Sequence, residues 1–115
     1  MSLPEGEIEV SPEQAQAAID QGDAQLVDVR EGYEHQAGYI DGARHIELQS
    51  LTSQAESIDR DMPVIFQCRS GARSLMAARA FRQAGYTAYS MAGGLQQWSD
   101  EGRPMRPDDA TVADH

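Results

Sequence analysis

Apolar residues fall into short runs separated by glycine, proline and polar clusters, and the period of the runs alternates along the chain. Residues 7–10 read as a short edge strand. Ser11, Pro12 and Gln14 then mark a helix start. The serine hydroxyl caps, proline suits the first helical position, and Gln14 stands where a capping box needs an amide. Ala15, Ala18 and Ile19 supply the apolar face, and Gly22 ends the helix. Leu26, Val27 and Val29 predict a second strand over residues 25–29. Residues 30–42 mix glycine, tyrosine and charge without a period, which predicts a loop holding one helical turn. Residues 43–46 predict a third short strand, and residues 48–58 a weak helix.

The strongest strand signal covers residues 62–67, where Val64, Ile65 and Phe66 run without interruption. Such a run fits a central parallel strand covered on both faces. Residues 74–84 then read as a helix, with Met76, Ala77, Ala80, Phe81 and Ala84 at helical spacing and Arg79, Arg82 and Gln83 opposite. Gly85 ends it, residues 86–91 predict another strand, Gly93 and Gly94 a tight turn, and residues 95–99 a last short helix. Strands alternating with helices predict an α/β domain with a mostly parallel sheet of about five strands flanked by helices. The domain is expected over residues 1–103, followed by a flexible acidic tail over 104–115 that carries Pro104 and Pro107.

Composition narrows the function classes. A chain of 115 residues supports one core. No apolar run approaches the ~20 residues that span a bilayer, so no membrane association is expected. Residues 1–10 lack a basic region followed by an apolar one, so no secretory signal is expected. The single cysteine excludes an internal disulfide and fits a reducing, cytoplasmic compartment. A net charge of −10 argues against nucleic acid as a partner. There is no lysine; all nine basic residues are arginine. Residues 1–61 carry fourteen acids and three arginines, whereas residues 62–99 carry four arginines and no acid. The only cysteine lies inside this electropositive stretch, where positive potential gathers anions and favours a thiolate.

Within that stretch an apolar strand runs directly into Cys68, four residues follow, and Arg73 opens a helix. Ligands of open α/β sheets bind at the carboxyl ends of strands, and a helix start offers unpaired N–H groups. A short loop between the two can turn successive amides inward as an anion nest, and Gly71 supplies the backbone freedom for it. Arg69 and Arg73 add positive charge, and arginine can fork onto an oxyanion. A lone cysteine is ordinarily a small buried hydrophobe, but that role has no need of two arginines and a glycine beside it.

The segment Cys68-Arg69-Ser70-Gly71-Ala72-Arg73-Ser74 resembles the active-site loop of the rhodanese (thiosulfate sulfurtransferase) family. Leu26-Val27-Asp28-Val29-Arg30-Glu31, Glu34 and the run from Gly38 to Ile46 resemble the family's first signature. Met91-Ala92-Gly93-Gly94-Leu95 with Trp98 resembles its C-terminal one. Tyr39 stands where the family usually has histidine, and Asp41 and Glu47 where it has proline. The resemblance implies a rhodanese-like three-layer fold and sulfane-sulfur transfer through a persulfide on Cys68. Arg69, Ser70, Gly71, Ala72 and Arg73 would surround the persulfide. The implied partners are a small anionic donor and a thiol or cyanide acceptor, with no metal or organic cofactor. A monomer or weak homodimer is compatible with this. The resemblance also bears on loop size. Phosphatases and arsenate reductases of the same fold carry five residues between cysteine and arginine, against four here, which fits one sulfur atom better than a phosphate. Those enzymes, and a non-enzymatic sulfur carrier or redox sensor, are the competing readings.

Among the other residues, Asp28 and Arg30 are expected to pair internally or with neighbouring loops, in a structural role ahead of a catalytic one. His35, His45 and His115 show no ligand spacing, so no metal site is expected. Trp98, Tyr86 and Phe81 are expected in the core, and Tyr33 and Tyr39 either at the pocket mouth or over apolar surface.

Overall fold

The computed structural model describes residues 3–115. Its elements run β1 (Glu9–Val10), α1 (Pro12–Asp20), β2 (Gln25–Asp28), α2 (Gly32–Ala37), β3 (Arg44–His45), α3 (Leu51–Gln54), β4 (Val64–Gln67), α4 (Ala72–Gln83), β5 (Ala88–Met91) and α5 (Gly94–Asp100). Short 3-10 turns flank α3 on both sides. The strands form one sheet in the order β1-β5-β4-β2-β3, and every pairing is parallel. The continuous apolar strand is the central one, as the sequence predicts, because a parallel strand with helices on both sides has no wet face.

Alternation along β2 and β4 divides the core in two. Val27, Val64 and Phe66 face a layer with Phe81, Ala77 and Ala78 of α4, Leu51 of α3 and Tyr86. Leu26 and Ile65 face the other, with Ala15 and Ala18 of α1, Leu95 and Trp98 of α5, and Tyr89. The period-two pleat thus makes three layers from one sheet. Helix α1 starts on the capping box read from the sequence: Gln14 N–H donates to Ser11 Oγ at 3.1 Å, and Ser11 N–H to Gln14 Oε1 at 2.9 Å.

Register decides what meets at the carboxyl edge. Asp28 of β2 lies beside Gln67 of β4, and Phe66 beside Ser90 of β5. The chain after β2 and the chain after β4 therefore leave the sheet as neighbours. Residues 104–115, for which the sequence predicts a flexible tail, lie against this edge in the structure. Trp98 Nε1 donates to the Pro104 carbonyl at 2.9 Å. Tyr39 and Arg106 exchange backbone bonds of 2.9 and 2.7 Å, and Thr111 N–H donates to the Ala37 carbonyl at 2.9 Å. Gly38 has an ordinary extended backbone, but a Cβ there would meet the Thr111 carbonyl, Met105 and Ala110. Its lack of a side chain serves the approach of this strap. The backbone bonds among these contacts leave no mark on hydrophobic periodicity, and Met105 and Val112 of the strap pack against the core beside them.

Candidate active site

Cys68 is the first residue beyond β4, and α4 begins four residues later at Ala72. The turn closes through Gly71, whose φ of +111° is open to glycine and costly for other residues. Gly71 N–H donates to Cys68 Sγ at 3.1 Å. Ser74 Oγ stands 3.5 Å from the same sulfur, donates to the Gly71 carbonyl at 3.1 Å and shares a 2.7 Å hydrogen bond with Ser90 Oγ. Cys68 is fully buried, yet its sulfur faces an amide and a hydroxyl rather than hydrocarbon alone. Among the described residues the amides of Arg69, Ser70, Ala72 and Arg73 have no hydrogen-bond acceptor. Unpaired amides at a helix start are the donors an anion uses.

The turn rests on α5. Leu95 N–H donates to the Cys68 carbonyl at 2.8 Å, and Gln96 N–H to the Arg69 carbonyl at 3.0 Å. That approach is possible because Gly94 has a φ of +59° and no side chain. A Cβ there would sit 2.5–2.6 Å from the Cys68 and Arg69 carbonyl groups.

Arg73 is forked, but not onto open space. Its Nη1 and Nη2 meet the two oxygens of Glu34 at 2.8 and 2.9 Å. Glu34 is fully buried on α2 and also accepts the Glu31 N–H at 3.1 Å. The start of α2 is held in turn by Glu47, which accepts the Gly32 N–H at 3.0 Å. Behind it lies a second buried pair: Arg30 Nε and Nη2 contact the Asp28 carboxylate at 2.7–3.1 Å. Arg30 also donates to the Glu34 and Gly38 carbonyls at 3.2 and 2.7 Å, and His35 Nδ1 lies 2.8 Å from Asp28 Oδ2. His45 Nε2 is 2.7 Å from the Arg30 carbonyl, and the His35 ring stacks between Tyr39 and His45. These histidines pack and orient.

The electropositive stretch of the sequence is therefore largely answered in space. The acidic half of the chain supplies Glu34 to Arg73, a partner 39 residues away that local sequence does not announce. Arg82 lies at the far end of α4, bonded to the Ala88 and Glu7 carbonyls. Arg69 is the loop cation with an accessible guanidinium, and Asp114 of the strap meets it at 3.2 Å. Tyr33, half-exposed, donates to the Asp114 carbonyl at 3.0 Å. His115 joins Glu31 at 3.3 Å, and Glu31, Glu34 and His115 cluster within 4.8 Å; Glu34 is already bound by Arg73. Ser90, which completes the hydroxyl pair under the sulfur, carries no sequence signal beyond its position in β5. Ser74 closes the loop segment that begins at Cys68.

Burial pushes the Glu34 carboxyl up, but the Arg73 hydrogen bonds, the Glu31 amide and the Arg73 charge outweigh it and leave it below the usual carboxylate range. Asp28 is likewise pushed up by burial and brought below its ordinary value by Arg30 and His35. Carboxylates lowered in the folded state contribute stability that is full above their unfolded pKa of about 4 and lost as pH falls through the lower folded values. Thermal unfolding followed from pH 7 to pH 3 is expected to show a melting temperature that falls mainly below about pH 4. In Glu34→Gln that fall should be shallower. An identical acid limb in this variant would remove Glu34 from the account.

The architecture is thus an α/β domain whose all-parallel sheet delivers one cysteine into a strand-to-helix turn of unpaired amides. The chain belongs to the rhodanese-like domain family, whose model matches residues 11–101. It is 34% identical over 106 residues to the thiosulfate sulfurtransferase GlpE of Pseudomonas paraeruginosa, which covers 91% of this chain and 92% of that one. A rhodanese-related protein from Thermoplasma volcanium has the same fold, with a TM-score of 0.79 at 27% identity over 84% of this chain and 95% of that one. A Rhodopseudomonas palustris protein of unknown function, described as a possible tyrosine phosphatase, aligns with a TM-score of 0.75 at 25% identity over 87% of this chain and 85% of that one. No helix among the described residues is long and apolar enough to cross a membrane.

Proposed function

We propose that the protein is a sulfurtransferase that carries sulfane sulfur on Cys68 between an anionic, thiosulfate-like donor and a thiophilic acceptor. The observation that supports this best is the Cys68 sulfur held at 3.1 Å by Gly71 N–H within a turn whose other amides are unengaged. The Cys68 thiolate attacks the outer sulfur of thiosulfate. The donor's S–S bond breaks, its electron pair leaves with sulfite, and a persulfide remains on Cys68. The terminal persulfide sulfur is anionic, and Arg69, Ser70, Gly71, Ala72 and Arg73 surround it with N–H groups. Donors of this class are worth about 3 kcal/mol each when removed from comparable sites. Cyanide or a thiolate then attacks the terminal sulfur, leaves as thiocyanate or a persulfide, and returns the Cys68 thiolate. This is two-step covalent catalysis, and neither step calls for a cofactor.

In this reading Ser74 and Ser90 follow the charge. When Cys68 ionises, the Ser74 hydroxyl turns its proton from the Gly71 carbonyl to the sulfur. The Ser90 hydroxyl donates to Ser74. The domain is taken as residues 1–103, with 104–115 as an appended strap. The phosphatase reading is disfavoured by the four residues between Cys68 and Arg73 and by Glu34, which is held ionised on Arg73 rather than free to protonate a leaving alcohol. Incubation with thiosulfate is expected to add one sulfur atom to the Cys68 peptide, read by mass spectrometry. Cyanide should then remove it as thiocyanate. Turnover of an aryl phosphate by a protein that acquires no sulfur would replace this assignment.

A further inference from the structure

The strap meets the candidate active-site turn at Asp114. Beyond its anchors at Trp98, Tyr39 and Ala37, Tyr33 fixes the Asp114 carbonyl and His115 meets Glu31. These contacts bring Asp114 Oδ1 to 3.2 Å from Arg69 Nη2. The Asp114 side chain is 98% exposed, so burial does not place it there. Arg69 is the opposite case: its Nε is buried without a partner, and its side chain is 35% exposed. Arg73 is committed to Glu34, which leaves Arg69 as the guanidinium at the mouth of the turn that an incoming anion can reach.

Two anions then want one site. We propose that Asp114 is a tethered competitor for Arg69, so that the strap sets the preference of the active site between strongly anionic and weakly charged sulfur donors. The proposal rests on the sulfurtransferase reading for its substrate class. An exposed ion pair is weak and screened by salt, so a donor can displace it. The tether offsets that weakness, because a group held by a short chain presents itself at millimolar effective concentration. The pair therefore matters most when the donor is dilute. Displacement frees the Arg69 guanidinium for the donor.

Two readouts test this. In steady-state assays, Asp114→Asn should lower the KM for thiosulfate about threefold and leave kcat unchanged, while Asp114→Glu keeps the wild-type value. The second readout does not depend on sulfur transfer. Cys68 is alkylated in parallel with iodoacetate, an anion, and iodoacetamide, its neutral counterpart. The ratio of the two rates should rise about threefold in Asp114→Asn. In an Arg69→Gln background the same change at position 114 should leave the ratio where it was. An alkylation ratio in Asp114→Asn equal to that of the wild type overturns the proposal, whatever the sulfur chemistry shows. A raised ratio in a protein that never acquires sulfur from thiosulfate keeps the competing anion and removes the sulfurtransferase reading beneath it.

Discussion

Asp28→Ala is expected to destabilise the fold by about 3–5 kcal/mol, because it strands a buried guanidinium. Arg30 is fully buried, and Asp28 accepts its backbone N–H as well as Nε and Nη2. Without the carboxylate, Arg30 keeps two carbonyl acceptors and no counter-charge. A paired buried charge adds little net stability over an apolar replacement, whereas one left unpaired is heavily penalised. The double variant Asp28→Ala/Arg30→Met should therefore be more stable than Asp28→Ala alone. Urea denaturation gives both numbers. A single variant within about 1 kcal/mol of the wild type would show that water or a neighbour compensates the charge. The pair also reaches the active site: Arg30 holds the Glu34 and Gly38 carbonyls, so its loss loosens the helix that presents Glu34 to Arg73.

Gly94→Ala is expected to lower turnover about 100-fold, the scale of a misplacement of about 1 Å in a reacting group. Two effects coincide at this position. A φ of +59° disfavours any side chain, and the added Cβ falls within 2.5–2.6 Å of the carbonyl groups of Cys68 and Arg69. Both neighbours are backbone, so the turn itself must shift, and the amides of Leu95 and Gln96 lose their acceptors. Gly102→Ala separates the effects. Gly102 has a φ of +72° with nothing within 4 Å of an added Cβ, so it should lose stability without losing kcat. Thiocyanate formation and thermal unfolding on both variants decide the matter. Equal kcat in the two would place the origin of Gly94 in backbone strain alone.

The elements nearest the chemistry were readable along the chain because they depend on local terms. The apolar run into Cys68, the glycine at position 71 and the helical spacing after it are all set within a few residues of one another. The same holds for the Ser11 capping box and the Gly93-Gly94 turn. Segments with mixed periods were less defined: the helical turn expected within residues 30–42 is α2, whose bounds the pattern did not mark, and residues 48–58 break into α3 and two 3-10 turns. Charge was the least transferable reading. Residues 62–99 look uniformly positive in sequence, yet Glu34 and Asp114 answer two of their arginines from 39 and 45 residues away.

By itself the sequence determined the α/β class, the order of the elements and the place of the single thiol at the end of the central strand. Hydrophobic period, capping and backbone freedom are short-range, and they act before any long-range contact exists. Only the tertiary structure decided which charges meet across long stretches of the chain. The sheet order puts β2 on one side of β4 and β5 on the other; the first carries Glu34 to Arg73 and the second Ser90 to Ser74, while the strap brings Asp114 to Arg69. Those pairings depend on distances through space that no local pattern encodes, and they decide which cation remains for a substrate.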